Sequence, residues 1–239
     1  AISNQQSAIS NQQSAISNQQ PAIRRSAMHV FIAGANGQIG QYLLRELADS
    51  DHEARALIRH PDQGPELQKL GATETVQGDL EHDCSEAMRG CDAVIFTAGS
   101  GPHTGPDKTV DVDQDGAIRL MDRAKAMGIK RFIIVSSMRA EEPEKGPEKL
   151  RHYLQAKRNA DEHLKHSGLN YTIVRPGQLT NDEGTGKVAV SARLEDFGKI
   201  PRQDVARVLL AVLDSDATTN RVFDVVSGET PVPDALAGL

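Results

Sequence analysis

The stretch Met28-His29-Val30-Phe31-Ile32-Ala33-Gly34-Ala35-Asn36-Gly37-Gln38-Ile39-Gly40 decides the fold. Val30 to Ala33 run without polar alternation into a glycine, the pattern of a strand covered on both faces. Beyond the glycines, Ile39, Leu43 and Leu47 recur at i, i+4 and i+8, which puts them on one face of a helix. A glycine turn between strand and helix lets the backbone approach a pyrophosphate. The phosphate charge then rests on the unpaired N–H groups and positive end of the helix. The spacing is G-x-x-G-x-x-G, with the middle glycine displaced by one from the dinucleotide fingerprint G-x-G-x-x-G. Gly34, Asn36, Gly37, Gln38, Ile39 and Gly40 are therefore candidate contacts to a dinucleotide. The alternative is a glycine turn that only closes a βα unit.

Strand and helix go on alternating downstream. Strands are predicted at 54–58, 73–77, 93–97, 131–136, 171–175 and 222–226, with helices at 65–70, 83–89, 108–127, 148–167 and 202–214. Such a series predicts an α/β, Rossmann-type doubly wound parallel sheet with helices on both faces. One domain is expected over residues 28–239, with ligands collecting at the carboxyl ends of the strands.

Residues 1–21 are three copies of Ala-Ile-Ser-Asn-Gln-Gln-Ser, the third ending in Pro21. Ala and Ile stand side by side in each copy, so the repeat builds no coiled-coil seam. Residues 1–27 are expected to form a disordered low-complexity tail outside the fold.

The 239 residues are 38% hydrophobic, enough for one sizeable core, and carry a net charge of −6. No run of Lys or Arg could track a phosphate backbone, so nucleic acid is not an expected partner. Cys84 and Cys91 are seven apart, which fits neither a zinc spacing nor a disulfide framework. Arg24-Arg25 ahead of Met28 imitates an export signal, but the apolar run that follows is short and leads directly into Gly34. No stretch approaches the roughly 20 apolar residues of a membrane span. A cytoplasmic protein with no membrane partner is expected, its oligomeric state open.

The second strand ends Leu57-Ile58-Arg59-His60, where an NAD enzyme usually offers Asp or Glu to the ribose 2′-hydroxyl. Arg59 would instead pair with a 2′-phosphate, favouring NADP over NAD; otherwise it is a solvated surface arginine. In Gly78-Asp79-Leu80, Asp79 either accepts a hydrogen bond from the adenine amino group or caps a helix. Leu80 joins it as a candidate contact. The loop from Ala98 and Gly99 to Gly105 is expected to border the cofactor, and its His103 either touches substrate or is solvated. Glu81, His82, Asp83 and Cys84 are neighbours on a loop, which rarely converge on one ion, so no metal is expected. Asp204 reads as a carboxylate at a helix start that supports the fold.

Tyr153 and Lys157 are four residues apart on one helical face. A phenol titrates near about 10 and serves acid/base chemistry at neutral pH only with help, which a neighbouring ammonium supplies. Ser136 and Ser137 end the fifth predicted strand, and Arg175-Pro176-Gly177 closes the sixth. This ordered series of glycine turn, serine, Tyr-x-x-x-Lys and Arg-Pro-Gly resembles the short-chain dehydrogenase/reductase superfamily over essentially all of residues 28–239. It looks most like the small atypical NAD(P)-binding, epimerase/dehydratase-like members.

The resemblance implies Tyr153 as proton donor or acceptor. Lys157 would bind the nicotinamide ribose and lower the tyrosine pKa, and Ser137, or else Ser136, would hold the substrate oxygen. Gly34, Gly37 and Gly40 would hold the pyrophosphate, with Pro176 and Gly177 against the nicotinamide. An NAD(P)-dependent oxidoreductase acting on a small carbonyl or alcohol follows. An epimerase or dehydratase, or a non-catalytic NADP-binding sensor or assembly factor, stands as the alternative. Where many members carry Asn ahead of a glycine, this chain has Asp113 before Gly116, which leaves open whether the proton relay is altered. Only 62 residues follow Gly177, which implies a small substrate site.

Overall fold

The computed structural model describes residues 26–99 and 106–239. The expected tail, all but Ser26 and Ala27 of it, lies outside the described residues, as do Arg24, Arg25 and His103. Eleven strands are described: β1 (His29–Ala33), β2 (Glu53–Ile58), β3 (Glu74–Gln77), β4 (Ala93–Phe96), β5 (Arg131–Val135), β6 (Asn170–Pro176), β7 (Gln178–Thr180), β8 (Lys187–Ser191), β9 (Lys199–Pro201), β10 (Arg221–Ser227) and β11 (Thr230–Pro231). Nine form one sheet in the order β3-β2-β1-β4-β5-β6-β10-β8-β11, and β7 and β9 pair separately. From β3 to β6 this is the doubly wound order, with the turn after β1 at the switch point between its two halves.

Side chains alternate across β1. Val30 and Ile32 enter the core shared with Leu43, Leu47 and Leu209, while Phe31 and Ala33 enter the opposite core with Phe96, Leu120 and Leu164. Burial on both faces is why the strand is apolar at every position. Helices α1 (Gln38–Ala48), α5 (Arg202–Asp214) and α6 (Val232–Ala237) cover the first face; α3 (Ala117–Ala126) and α4 (Arg151–His166) cover the second, and the short α2 (Gly64–Lys69) follows β2. Ile39, Leu43 and Leu47 are all buried on α1. Truncating one such leucine to alanine would cost roughly 2–5 kcal/mol.

The expected doubly wound sheet is present and mostly parallel, with β8 antiparallel to β10 and β11 to β8 at one edge. The solvent-facing half of β8 suits antiparallel pairing, which tolerates one wet face. Two sequence expectations about helices are corrected. The helix expected at 83–89 is a 3₁₀ turn, Ser85–Met88. The long helix at 108–127 is a turn of α-helix, Pro106–Lys108, then a π-helical segment, Thr109–Gly116, then α3. Strands β7, β8, β9 and β11 and helix α6 escape a sequence reading because two to six residues show no period.

Buried Asp204 supports the fold as expected, accepting N–H bonds from Thr185 (2.9 Å) and Gly186 (2.8 Å) and pairing with Arg207. Among the described residues no helix is long and apolar enough to cross a membrane.

Candidate active site

A cavity of about 440 Å³ opens at the carboxyl ends of β1, β2 and β4. Its walls bring together Gly34, Asn36 and Gly37 from the first turn, Arg59 after β2, Asp79 and Leu80 after β3, and Ala98 and Gly99 after β4. Gly34 has φ +93°, and a Cβ there would lie 2.4 Å from the Ala98 nitrogen, so only glycine lets the two loops meet. Gly37 closes the turn, donating its N–H to the Gly34 carbonyl at 3.0 Å, and stands as the N-cap of α1. The helix begins with no side-chain cap and no acidic residue in its first turn. An anion is the missing complement to such an end.

Gln38, Ile39 and Gly40 lie off the cavity wall. Gln38 is exposed at the first position of α1, and Ile39 packs into the core. A Cβ on Gly40 would fall 2.3 Å from the Gly34 carbonyl, so this glycine lets the helix sit close under the turn.

Arg59 is exposed on the cavity wall, and its backbone N–H donates to Gln63 Oε1 at 3.0 Å, as does that of His60 at 3.2 Å. Asp79 is no helix cap: its Oδ1 accepts the Glu81 N–H at 3.0 Å, which shapes the loop on the cavity wall. Glu81 pairs with Lys108 at 2.6 Å and Asp83 with Arg123 at 2.9 Å, so the two carboxylates diverge. Sequence reasoning missed Gln63, Glu81, Thr97 and Lys108 on this wall. Lone polar residues carry no periodic or motif signal, and only the loop packing gathers them.

The second half of the site rides on α4, where Tyr153, Lys157 and Asp161 recur at i, i+4 and i+8 on one face. Lys157 is buried, with its Nζ 3.0 Å from Asp113 Oδ1, donating to the Val135 carbonyl at 3.2 Å, and 5.7 Å from the centre of the Tyr153 ring. Asp113 is fully buried on the π-helical segment. A Cβ on Gly99 would stand 3.2 Å from its carboxylate, so Asp113 links Lys157 to the cavity wall. Ser136 is buried and donates to Asp161 Oδ2 at 2.9 Å, which also takes Arg175 Nε and Nη2 at 3.1 and 2.9 Å. Ser137 is only partly buried, its hydroxyl donating to the Met138 carbonyl at 3.2 Å. Of the two serines, Ser137 is the more accessible.

Burial opposes the charge on Lys157, but Asp113, Tyr153 and Asp161 outweigh it and hold its pKa above the usual value. Lys157 does pull the Tyr153 pKa down, but burial raises it by more, and Asp113 and Asp161 add to that rise, so the phenol sits above its ordinary range. Pro176 ends β6 in a buried position, its carbonyl accepting the Met138 N–H at 3.1 Å. Gly177 donates to the Val225 carbonyl at 3.0 Å, and a Cβ there would lie 2.3 Å from the Gly198 carbonyl. Both stand off the described cavity wall, and Pro176 is tied to the loop that carries Ser137.

Residues 34–216 match a family model described as NAD(P)H-binding. The chain is 48% identical to the uncharacterized sugar epimerase YhfK of Bacillus subtilis, over 89% of this chain and 100% of the relative. A Bacillus halodurans structure provisionally named an NAD-dependent epimerase/dehydratase matches with a TM-score of 0.88 at 48% identity, covering 89% of this chain and 100% of that one. The Lactococcus lactis oxidoreductase YlbE matches with a TM-score of 0.79 at 30% identity, over 89% and 96%.

Proposed function

The chain belongs to the NAD(P)H-binding family, and within it we propose an oxidoreductase that prefers NADP(H) and interconverts a small carbonyl and its alcohol. The observation that carries this reading is the chain of contacts from Gly99 on the cavity wall through Asp113 and Lys157 to the Val135 carbonyl, just before Ser137. It supports a reading in which a phenol, a hydroxyl and a cation serve a crevice able to take a dinucleotide.

The residues present fit that cofactor. Gly34, Gly37 and the uncapped start of α1 would hold its pyrophosphate, and Arg59 a 2′-phosphate. When bound, NAD(P)H would supply a hydride to the carbonyl carbon of the substrate, which would leave charge on the substrate oxygen. Ser137 donates a hydrogen bond to this oxygen as charge develops, and Tyr153 delivers the proton that completes the alcohol. Solvent reprotonates the phenol, so each turnover consumes one carbonyl, one NAD(P)H and one proton. Lys157 holds the ribose side of the site.

Two relatives bear epimerase names, which supports a second reading as an epimerase or dehydratase that oxidises and re-reduces its substrate on retained cofactor. Steady-state oxidation of NADPH across a panel of aldehydes and ketones separates the readings. Net oxidation with at least one carbonyl is expected. Isomerisation without net oxidation would favour the epimerase, and tight binding with neither would favour a non-catalytic sensor.

A further inference from the structure

The π-helical segment Thr109-Val110-Asp111-Val112-Asp113-Gln114-Asp115-Gly116 carries three aspartates at alternate positions. Only Asp113 among them is buried; Asp111 and Asp115 remain partly exposed. A π turn holds more residues than an α turn and resets which side chains face inward. Here it sends one carboxylate between Gly99 and the Lys157 ammonium.

We propose that Asp113 is a positioning residue: by holding the Lys157 ammonium in an ion pair, it keeps Tyr153 a proton donor and sets the site for reducing a carbonyl. The inference rests on the reading of Tyr153 as the proton-transfer group. An unpaired ammonium beside a phenol stabilises the phenolate, which is the base needed to strip a proton from an alcohol. An ammonium already matched by a carboxylate at 3.0 Å offers the phenol little net charge. Reduction and oxidation run through opposite protonation states of one tyrosine, so fixing the phenol favours the reductive form. The overall equilibrium remains a property of the substrates.

The charged groups around Tyr153 agree with this assignment. Lys157 and Asp161 face it from its own helix and Asp113 from the π-helical segment, two carboxylates against one ammonium. Arg175 on β6 is bound to Asp161 and Glu141, and Asp122 on α3 to His163. On the turns packed against α4, Lys145 is held by Glu142, while Glu144, Glu148 and Lys149 are exposed to solvent. The result is a phenol above its ordinary pKa, with the donor form persisting into alkaline solution and reduction lost only as pH rises through that higher value.

The test is an ultraviolet titration of phenolate in the cofactor-free protein. The chain has three tyrosines, Tyr42, Tyr153 and Tyr171, so subtraction of a Tyr153→Phe titration isolates the one of interest. The wild-type midpoint is expected above about 10. Asp113→Asn should lower it by about one unit or more, a tenfold shift or larger in the ionisation constant. The alkaline limb of carbonyl reduction should move down with it. A midpoint equal to or above wild type overturns the inference. Should Asp113→Asn not fold, the double variant Asp113→Asn/Lys157→Met, which removes the matched pair as a unit, is titrated instead. A midpoint within about half a unit of wild type supports the proposal, and a larger shift in either direction overturns it. A shifted phenol in a protein that reduces no carbonyl supports the hold of Asp113 on Tyr153 and counts only against the oxidoreductase reading. An unshifted phenol in a protein that does reduce carbonyls overturns the inference and leaves that reading standing.

Discussion

The crevice behind the first glycine turn and the Tyr153 cluster are built by opposite means. The crevice is made largely of backbone: Gly34 at positive φ, Gly37 capping a helix with no side chain, and loops close enough that a single Cβ would separate them. The cluster is made of side chains, with Lys157 between Asp113 and Tyr153, and Asp161 between Ser136 and Arg175. A backbone site tolerates exposure, because its donors are satisfied by water until a ligand arrives. Buried charges have no such latitude and must be matched at once by a partner of opposite sign. The crevice is therefore expected to govern affinity, and the cluster to govern both chemistry and stability.

Tyr153→Phe gives the sharpest separation and the largest expected effect. Turnover should fall by about 10² to 10⁴-fold while cofactor affinity stays within about twofold, since the ring fills the same space. Steady-state kinetics beside a fluorescence titration checks both, and retention of more than about a third of kcat would break the division between the two regions.

Asp161→Asn probes the cluster as a structural element. It removes the charge that faces buried Arg175, a loss worth roughly 3–5 kcal/mol for a buried pair. The melting midpoint should drop by on the order of 10 °C. A drop below about 2 °C would mean that Glu141, 2.6 Å from Arg175, supports the guanidinium alone.

Gly34→Ala attacks the crevice. A left-handed backbone on a residue with a side chain costs about 1–3 kcal/mol, and the contact with Ala98 adds to it. Both denaturant midpoint and NADPH affinity should fall; loss of stability with unchanged affinity would show that the turn does not touch the cofactor.

Arg59→Ala should weaken NADPH by roughly ten- to a hundredfold and leave NADH unchanged, the loss of one charge-assisted contact. Equal weakening of both cofactors in parallel titrations would remove the basis for preferring NADP. The smallest expected effect comes from deleting residues 1–25, whose repeat has no pattern able to bury a face. Melting midpoint and affinity should not change, and a fall of several degrees would show that the segment packs.

Much of this arrangement is legible in the amino-acid order alone. The doubly wound sheet follows from apolar runs that end in glycine and from Ile39, Leu43 and Leu47, because burying a strand on both faces demands apolar residues at every position. The glycine turn is legible for the same local reason, since positive φ and close approach select one residue type. Tyr153 and Lys157 announce their shared face through the helical period. The tertiary structure alone decided what surrounds them. Asp113 reaches Lys157 only through a π-helical segment, Ser136 is drawn off by Asp161, and Gln63, Glu81 and Lys108 reach the crevice from separate segments of the chain. Backbone conformation and hydrophobic period are properties of neighbouring residues, so a sequence records them. The charge that a side chain feels is set by groups tens of residues away, and only the fold brings those within a few ångströms.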